Sequence, residues 1–142
     1  GHGRVQADRL EDLRAVSLFA HCSSSDLGRI ARVADEIQVE PGRVLMTEGE
    51  IGREAFIVLD ARVEVTTGDE VVATLGPAQP VGEMALLERV PRNATVTVSQ
   101  PGSVLVIGQR EFAGLLEEPS FSKAIMIALA DRLREIDKSY VG

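Results

Sequence analysis

The middle of the chain is a series of short segments in which apolar and polar residues alternate. The segments read EIQVE, RVLM, AFIVLDARVEVTT, EVVATL, ATVTVS and SVLVIG. The dipeptides Pro41-Gly42, Gly68-Asp69 and Pro101-Gly102 supply turn residues between them. Strands this short, with turn signals every 8 to 12 residues or so, predict a β-barrel or roll. In the longest segment the expected inward positions are Ile57, Leu59, Val63 and Val65.

Helical spacing replaces the alternation at both ends of the chain. Leu10, Leu13 and Val16 predict a short amphipathic helix, and Ser23–Asp26 supply start signals for a second helix that ends near Asp35. Near the C-terminus, QREFAGLLEE predicts a short helix, and Pro119 suits the first turn of a long one. A single apolar stripe is expected along that long helix, at Ile125, Leu129, Leu133, Ile136 and Tyr140.

One interruption of the alternation, VGEMALLERVPRNATVTV over residues 81–98, is too long for a plain hairpin turn. Gly82 lets another group approach the backbone, and Glu83 stands where the dipole of a short apolar turn favours a carboxylate. The amide groups of Met84, Ala85 and Leu86 are expected to point outward.

The second half of this interruption supplies a cation. Pro91 fixes the chain direction immediately before Arg92, and Ala94 is small enough for a ligand to lie close. A guanidinium can hold two oxygens of a phosphate, backbone amides can donate to them, and a carboxylate can accept from a sugar hydroxyl. The stretch therefore predicts a socket for a cyclic phosphate on a ribose.

Composition excludes several other functions. The formal net charge is −7, and no basic run would make a nucleic-acid-binding face. The histidines are His2 and His21, of which His2 is expected to come from a tag, so neither a histidine metal site nor a histidine-dependent triad is expected. The single Cys22 fits a reducing compartment, predicted to be the cytoplasm, and no apolar run is long enough to span a membrane.

The stretch GEMALLERVPRNATV resembles the phosphate-binding cassette of the cyclic nucleotide-binding domain family. The likeness extends over about residues 10 to 138, because LFAHCSSSDLGRIARVADEIQVEPGRVLMTEGEIGREAFIVLDARVEV is similar to the N-terminal half of that family. It implies a mainly β fold, an eight-stranded jelly-roll-like barrel (double-stranded β-helix) with N-terminal helices and a long C-terminal helix.

The resemblance also implies the roles of individual residues. Glu83 accepts from the ribose 2′-hydroxyl, and Arg92 pairs with the cyclic phosphate. The remaining predicted ligand-binding residues are backbone donors at Gly82, Met84 and Ala85, Asn93 beside the phosphate or base edge, and the small Ala94. The implied ligand is cAMP, with cGMP as the alternative, and no metal is involved.

The sequence departs from the family pattern in three ways. Pro80 and Val81 replace the aromatic residue that often precedes the Gly-Glu pair, and Ala61 stands where the family usually has glycine. Asn93 follows Arg92, where alanine accompanies cAMP preference in the family and threonine or serine accompanies cGMP preference.

The domain prediction follows from these boundaries. Residues 1–6 are predicted to be a tag remnant or a disordered lead-in, and residues 7–142 a single cyclic nucleotide-binding domain. Its β-roll is expected over about 35–108 and its C-terminal helices over about 109–139.

The predicted function is a non-catalytic sensor that relays ligand binding through the last helix. The stripe on that helix favours core or dimer packing over direct contact with a base, and a homodimer is one implied partner. Three alternatives remain open. In the first, the chain is a regulatory fragment of a larger transcription factor, channel or enzyme. In the second, it is a DNA-binding regulator, if a helix-turn-helix follows in a longer protein. In the third, it is a degenerate fold that binds no ligand.

Overall fold

The computed structural model describes residues 2–4, 10–137 and 139, with the main chain only for residues 2–4. Over these residues the chain forms strands at both sides of an apolar interior and helices outside them. The strands are β1 (His2–Arg4), β2 (Asp35–Val39), β3 (Val44–Met46), β4 (Glu54–Val58), β5 (Arg62–Thr67), β6 (Glu70–Leu75), β7 (Gln79–Val81), β8 (Thr95–Gln100) and β9 (Gly102–Gly108). The α-helices are α1 (Leu10–Arg14), α2 (Ser24–Val33), α3 (Gln109–Leu115) and α4 (Pro119–Ile136).

The strands form two antiparallel sheets. One has the order β1-β2-β9-β4-β7 and the other the order β3-β8-β5-β6. The predicted mainly β fold with flanking helices is therefore confirmed, but the eight-stranded barrel is not closed. Closure requires hydrogen-bonded ladders between the edge strands of the two sheets, and none joins them among the described residues. The sheets are held together by apolar side chains instead.

Strand β1 lies inside the segment predicted to be a tag remnant or disordered lead-in. Its main chain pairs antiparallel with β2, with Gly3 opposite Glu36. The edge of β2 that faces away from β9 presents backbone donors and acceptors. A short segment of almost any sequence can pair with them through its main chain. The division into a lead-in over residues 1–6 and a domain over residues 7–142 stays a prediction.

Two apolar cores lie on opposite faces of the five-stranded sheet. Phe56 and Val58 face the second sheet, whereas Ile57 and Leu59 face the helices, so the end of β4 is buried on both sides. The expected inward positions Ile57, Leu59 and Val63 are all buried and Val65 is partly buried, but they divide between the two cores. The chain turns a corner between β4 and β5 and enters the other sheet, which resets the alternation, and Val63 lies in the core between the sheets.

The helices α1, α2, α3 and the first half of α4 cover the outer face of the five-stranded sheet. Ser23 caps α2, with its hydroxyl accepting from the Asp26 amide and the Asp26 carboxylate accepting from the Ser23 amide. Phe112 packs between Phe19 and Phe121, with ring centroids 6.1 and 5.5 Å away, and joins the N-terminal and C-terminal helices.

Helix α4 buries its apolar side chains only as far as Leu129. Its 18 residues make it about 27 Å long. Ile125 is buried, but Leu133 and Ile136 are 53% and 76% exposed. The predicted stripe is therefore buried or partly buried at Ile125 and Leu129 but exposed at Leu133 and Ile136. Tyr140 lies outside the described residues.

Candidate functional site

A cavity of about 350 Å³ opens beside the interruption that separates β7 from β8. It is lined by the predicted residues Gly82, Glu83, Met84, Ala85, Arg92 and Asn93, and also by Met46, Glu88, Val90 and Pro91. Ala94 is buried and lies outside this lining. The structure thus brings Arg92 and Glu83 to one cavity, which is the arrangement that a socket for a ribose phosphate requires.

The loop before β4 fixes the backbone of Arg92. The Arg92 amide donates to the Glu50 carbonyl at 2.7 Å, and the Gly49 amide donates to the Arg92 carbonyl at 2.9 Å. The Gly52 amide donates to the Val90 carbonyl at 3.1 Å. These bonds make a short two-stranded contact, so the position of Arg92 is set by residues about forty positions earlier in the chain.

The Arg92 guanidinium lies against two glycines. Its Nη2 donates to the Glu54 carbonyl at 2.7 Å, and its Nη1 lies 3.4 Å from the Gly82 carbonyl. A Cβ at Gly52 would come within 2.7 Å of the guanidinium, and one at Gly82 within 2.5 Å. Burial lowers the pKa of Arg92, and the nearby Glu54 carboxylate offsets only part of this shift. The remaining N–H groups of this fixed cation are the donors that a bound anion can use.

Two members of this arrangement were missed in the sequence. Gly52 has no motif of its own, and nothing near it in the chain indicates contact with Arg92. The sequence gives no signal for Glu54 either, because it lies in the polar, glycine-bearing stretch EGEIGREAF, which favours a loop. Glu54 begins β4, is half-buried and offers its carbonyl to Arg92, because pairing with β9 continues to this residue.

The backbone reverses direction at Gly82. This residue has φ 70° and ψ 25°, a left-handed conformation that favours glycine, and it caps a 3-10 turn formed by Glu83–Leu86, hereafter the cassette turn. The register that sets Val81 of β7 opposite Phe56 of β4 brings this turn beside Arg92. The Ala85 amide donates to the Gly82 carbonyl at 3.1 Å, so this predicted phosphate donor is already engaged inside the turn. Donation by Gly82, Met84 and Ala85 to a ligand stays a prediction.

The Glu83 carboxylate has two different environments. Its Oε1 accepts from Nη2 of Arg132, on α4, at 3.1 Å. Its Oε2 is buried and has no hydrogen-bond partner among the described residues. A buried carboxylate oxygen without a donor is costly, and a ligand hydroxyl is a donor of the right kind. Sequence reasoning did not identify Arg132, which lies 49 positions from Glu83.

The rest of the lining is apolar or exposed. Met46, Met84 and Val90 supply aliphatic and thioether surface, and no aromatic side chain lines the cavity within the part of the chain that the structure describes. Asn93 and Glu88 are exposed at the rim. A base bound here would therefore rest on aliphatic and sulfur atoms and find polar partners at the rim.

Residues 2–4, 10–137 and 139 contain no group of three or more His, Cys, Asp or Glu side chains placed to hold a metal ion. No helix within them combines the length and the apolar character needed to cross a bilayer.

Residues 36–119 match the sequence model of a family described as cyclic nucleotide-binding domain. A curated relative is the cAMP-dependent protein kinase regulatory subunit of Yarrowia lipolytica. It is 37% identical over 106 residues, which make up 73% of this chain and 28% of that protein. The chain spans less than two fifths of the length of such curated relatives.

Solved structures agree in fold. The N-terminal domain of a transcriptional regulator from Streptomyces coelicolor A3(2) superposes with a TM-score of 0.83 at 26% identity, covering 92% of this chain and 96% of that one. The regulatory domain of Toxoplasma gondii PKA, in a co-crystal with cAMP, superposes with a TM-score of 0.72 at 30% identity. That match covers 78% of this chain and 44% of the other.

Proposed function

The chain belongs to the cyclic nucleotide-binding domain family, and within that family we propose that it is a non-catalytic sensor whose ligand is cAMP. Ligand binding changes the position or stability of α4, which relays the signal to an effector. The single Cys22 fits a reducing location such as the cytoplasm.

The observation that carries this proposal is that Arg92 and Glu83 line the same cavity. A cyclic phosphate has one negative charge and two exocyclic oxygens. Arg92 is fixed by the Glu54 carbonyl and still has free N–H donors, so it binds such a group without having to be ordered first.

The sugar is assigned to Glu83. The buried Oε2 lacks a donor among the described residues, and the 2′-hydroxyl of a ribose supplies one. The same hydroxyl distinguishes a ribonucleotide from a deoxyribonucleotide. The proposed roles of Gly82, Met84, Ala85, Asn93 and Ala94 follow the family cassette and carry less weight than these two side chains.

The choice of cAMP over cGMP is supported by the names of relatives. The kinase subunit is named as cAMP-dependent, and the Toxoplasma domain was crystallised with cAMP. Asn93 is exposed at the rim of the cavity, where an amide can donate and accept. It is the residue whose contacts with the base decide between the two nucleotides.

We propose that the effector is either another segment of a longer protein or a second copy of this chain. The curated relatives are much longer than this chain, which supports a regulatory fragment of a larger transcription factor, channel or enzyme. The second half of α4 exposes Leu133 and Ile136, which suits contact with such a segment or with the same helix of a second copy.

Calorimetric titration of the unmodified chain with cAMP, cGMP and 5′-AMP tests this function. We expect binding of one cAMP per chain, with weaker binding of cGMP. 5′-AMP has a dianionic, unconstrained phosphate and is expected to bind at least about tenfold more weakly, a difference of about 1.4 kcal/mol. If neither cyclic nucleotide binds, the chain is a degenerate member that keeps the fold without the ligand.

A further inference from the structure

Arg132 joins three parts of the molecule. It lies in the second half of α4, and its Nη2 is 3.1 Å from Oε1 of Glu83 and 2.9 Å from Oγ of Ser17. Its Nη1 lies 3.9 Å from Sδ of Met84. A single guanidinium therefore connects the last helix, the 3-10 turn at Ser17–Phe19 and the cassette turn.

This contact engages only half of the Glu83 carboxylate. Arg132 occupies Oε1, whereas Oε2 is buried without a partner among the described residues. Arg92 does not pair with Glu83, because it donates to the backbone carbonyls of Glu54 and Gly82. Among the described residues, the cation that pairs with Glu83 is Arg132. Because the two oxygens are held in one plane, fixing Oε1 also fixes the direction of Oε2.

We propose that Arg132 is a positioning residue for ligand recognition: it holds Glu83 so that Oε2 accepts the ribose 2′-hydroxyl, and it thereby couples the sugar to α4. This inference rests on the proposed function and adds a residue outside the cassette to it. A bound ribose satisfies Oε2, keeps the carboxylate in place, and so strengthens the bond that holds the second half of α4.

The surroundings of the pair favour positioning over a contribution to stability alone. The side chains of Arg132 and Glu83 are 31% and 21% exposed, and ion pairs near the surface add little to folding stability. Removal of Arg132 nevertheless leaves a largely buried carboxylate without a counter-charge. Glu83 then has reason to rotate toward solvent, and that rotation removes the acceptor.

The test compares cAMP with 2′-deoxy-cAMP by calorimetry. In the unmodified chain we expect cAMP to bind about 10- to 100-fold more tightly, as for a hydrogen bond to a charged group. In Arg132→Gln we expect the ratio of the two dissociation constants to fall to within about threefold of one, because cAMP weakens while 2′-deoxy-cAMP changes little. Arg132→Lys, which keeps the charge, is expected to restore a ratio at least about threefold above that of Arg132→Gln.

The matched control is Arg134→Gln, on the same helix, where Arg134 pairs with Asp131 and not with the cassette turn. It should keep the unmodified ratio. If Arg132→Gln weakens both ligands by the same factor, Arg132 is merely structural and the inference is wrong. If the unmodified chain binds cAMP without preferring the ribose, the inference also fails while the sensor function stands; if it binds no cyclic nucleotide, both fail.

Circular dichroism establishes that each variant is folded. Should Arg132→Gln not fold, Ser17→Ala replaces it, because Ser17 is exposed and its hydroxyl accepts from the same Nη2 that donates to Glu83. The ratio should then fall about two- to threefold, and an unchanged ratio contradicts the inference.

Discussion

Arg92 packs directly on Gly52, so that a Cβ built on Gly52 would lie 2.7 Å from the central carbon of the guanidinium. The two residues are joined by no sequence motif, yet each restricts the other. The glycine leaves the space that the cation occupies, and the hydrogen bonds between residues 49–52 and residues 90–92 keep the two together.

Gly52→Ala should therefore displace the guanidinium. We expect cAMP to bind about tenfold more weakly, because part of a charged hydrogen bond is lost. The free energy of unfolding should fall by less than about 1 kcal/mol, since the crowded atoms are at the end of a flexible side chain.

The control is Gly28→Ala in α2, where a Cβ would meet nothing within 4 Å. It should stabilise the fold by about 0.5–1 kcal/mol and leave the affinity unchanged. An equal affinity for cAMP in Gly52→Ala and the unmodified chain would show that Arg92 does not depend on this space.

The sequence predicted the strands and the cassette well because both rest on local signals. Alternation and turn residues mark β2 to β6, β8 and β9 but not the short β7, and the interruption at residues 81–98 contains both Arg92 and Glu83. The contacts that place these side chains are not local. Gly52 and Glu54 reach Arg92 through the pairing of distant segments, and Arg132 reaches Glu83 from another element.

Two differences between the predicted and the observed fold have the same origin. The alternating segment AFIVLDARVEVTT contains two strands that belong to different sheets. The alternation of apolar and polar residues does not reveal the corner between them. The stripe on α4 has the spacing of a buried face, but the core that packs against the helix reaches only as far as Leu129. Composition and period describe one element at a time, whereas burial depends on its neighbours.

Glu83→Gln should weaken cAMP binding about tenfold, because an amide oxygen is a weaker acceptor than a carboxylate and cannot pair with Arg132 as an ion. Glu88→Gln is the matched control, since Glu88 lines the same cavity but is exposed. Removing its charge near an anionic ligand should strengthen binding by about twofold or less. Calorimetry of both variants decides the matter, and equal losses would mean that Glu83 acts only through charge.

Ligand binding should slow hydrogen exchange in the second half of α4. This half is held by Arg132 and by His21, whose Nε2 lies 2.5 Å from Oδ2 of Asp131, while Leu133 and Ile136 are exposed. We expect at least about tenfold slower exchange of the amides over residues 129–136 when cAMP is saturating, and less protection in Arg132→Gln. Unchanged exchange in this segment would contradict relay through α4.

Cys22 should be inert in the folded chain. Burial, with a smaller effect from Asp26, raises the pKa of its thiol from 9.0 to about 11. Ellman's reagent at pH 8 should therefore react at least about tenfold faster with the urea-unfolded chain. Because the folded pKa is the higher one, the thiol stabilises the fold below pH 9 and this contribution is lost as the pH rises toward 11. In Cys22→Ala, the melting temperature should fall less between pH 9 and pH 11 than in the unmodified chain. Rapid labelling of the folded chain by Ellman's reagent would contradict this account.

The central claim is that Arg92 holds a cyclic phosphate, and titration of Arg92→Ala with cAMP tests it most directly. Arg89→Ala, an exposed arginine three residues earlier that does not line the cavity, is the control. We expect Arg92→Ala to weaken binding about a hundredfold or more while Arg89→Ala stays within about twofold of the unmodified chain. Equal affinities of a folded Arg92→Ala and the unmodified chain for cAMP would contradict the claim.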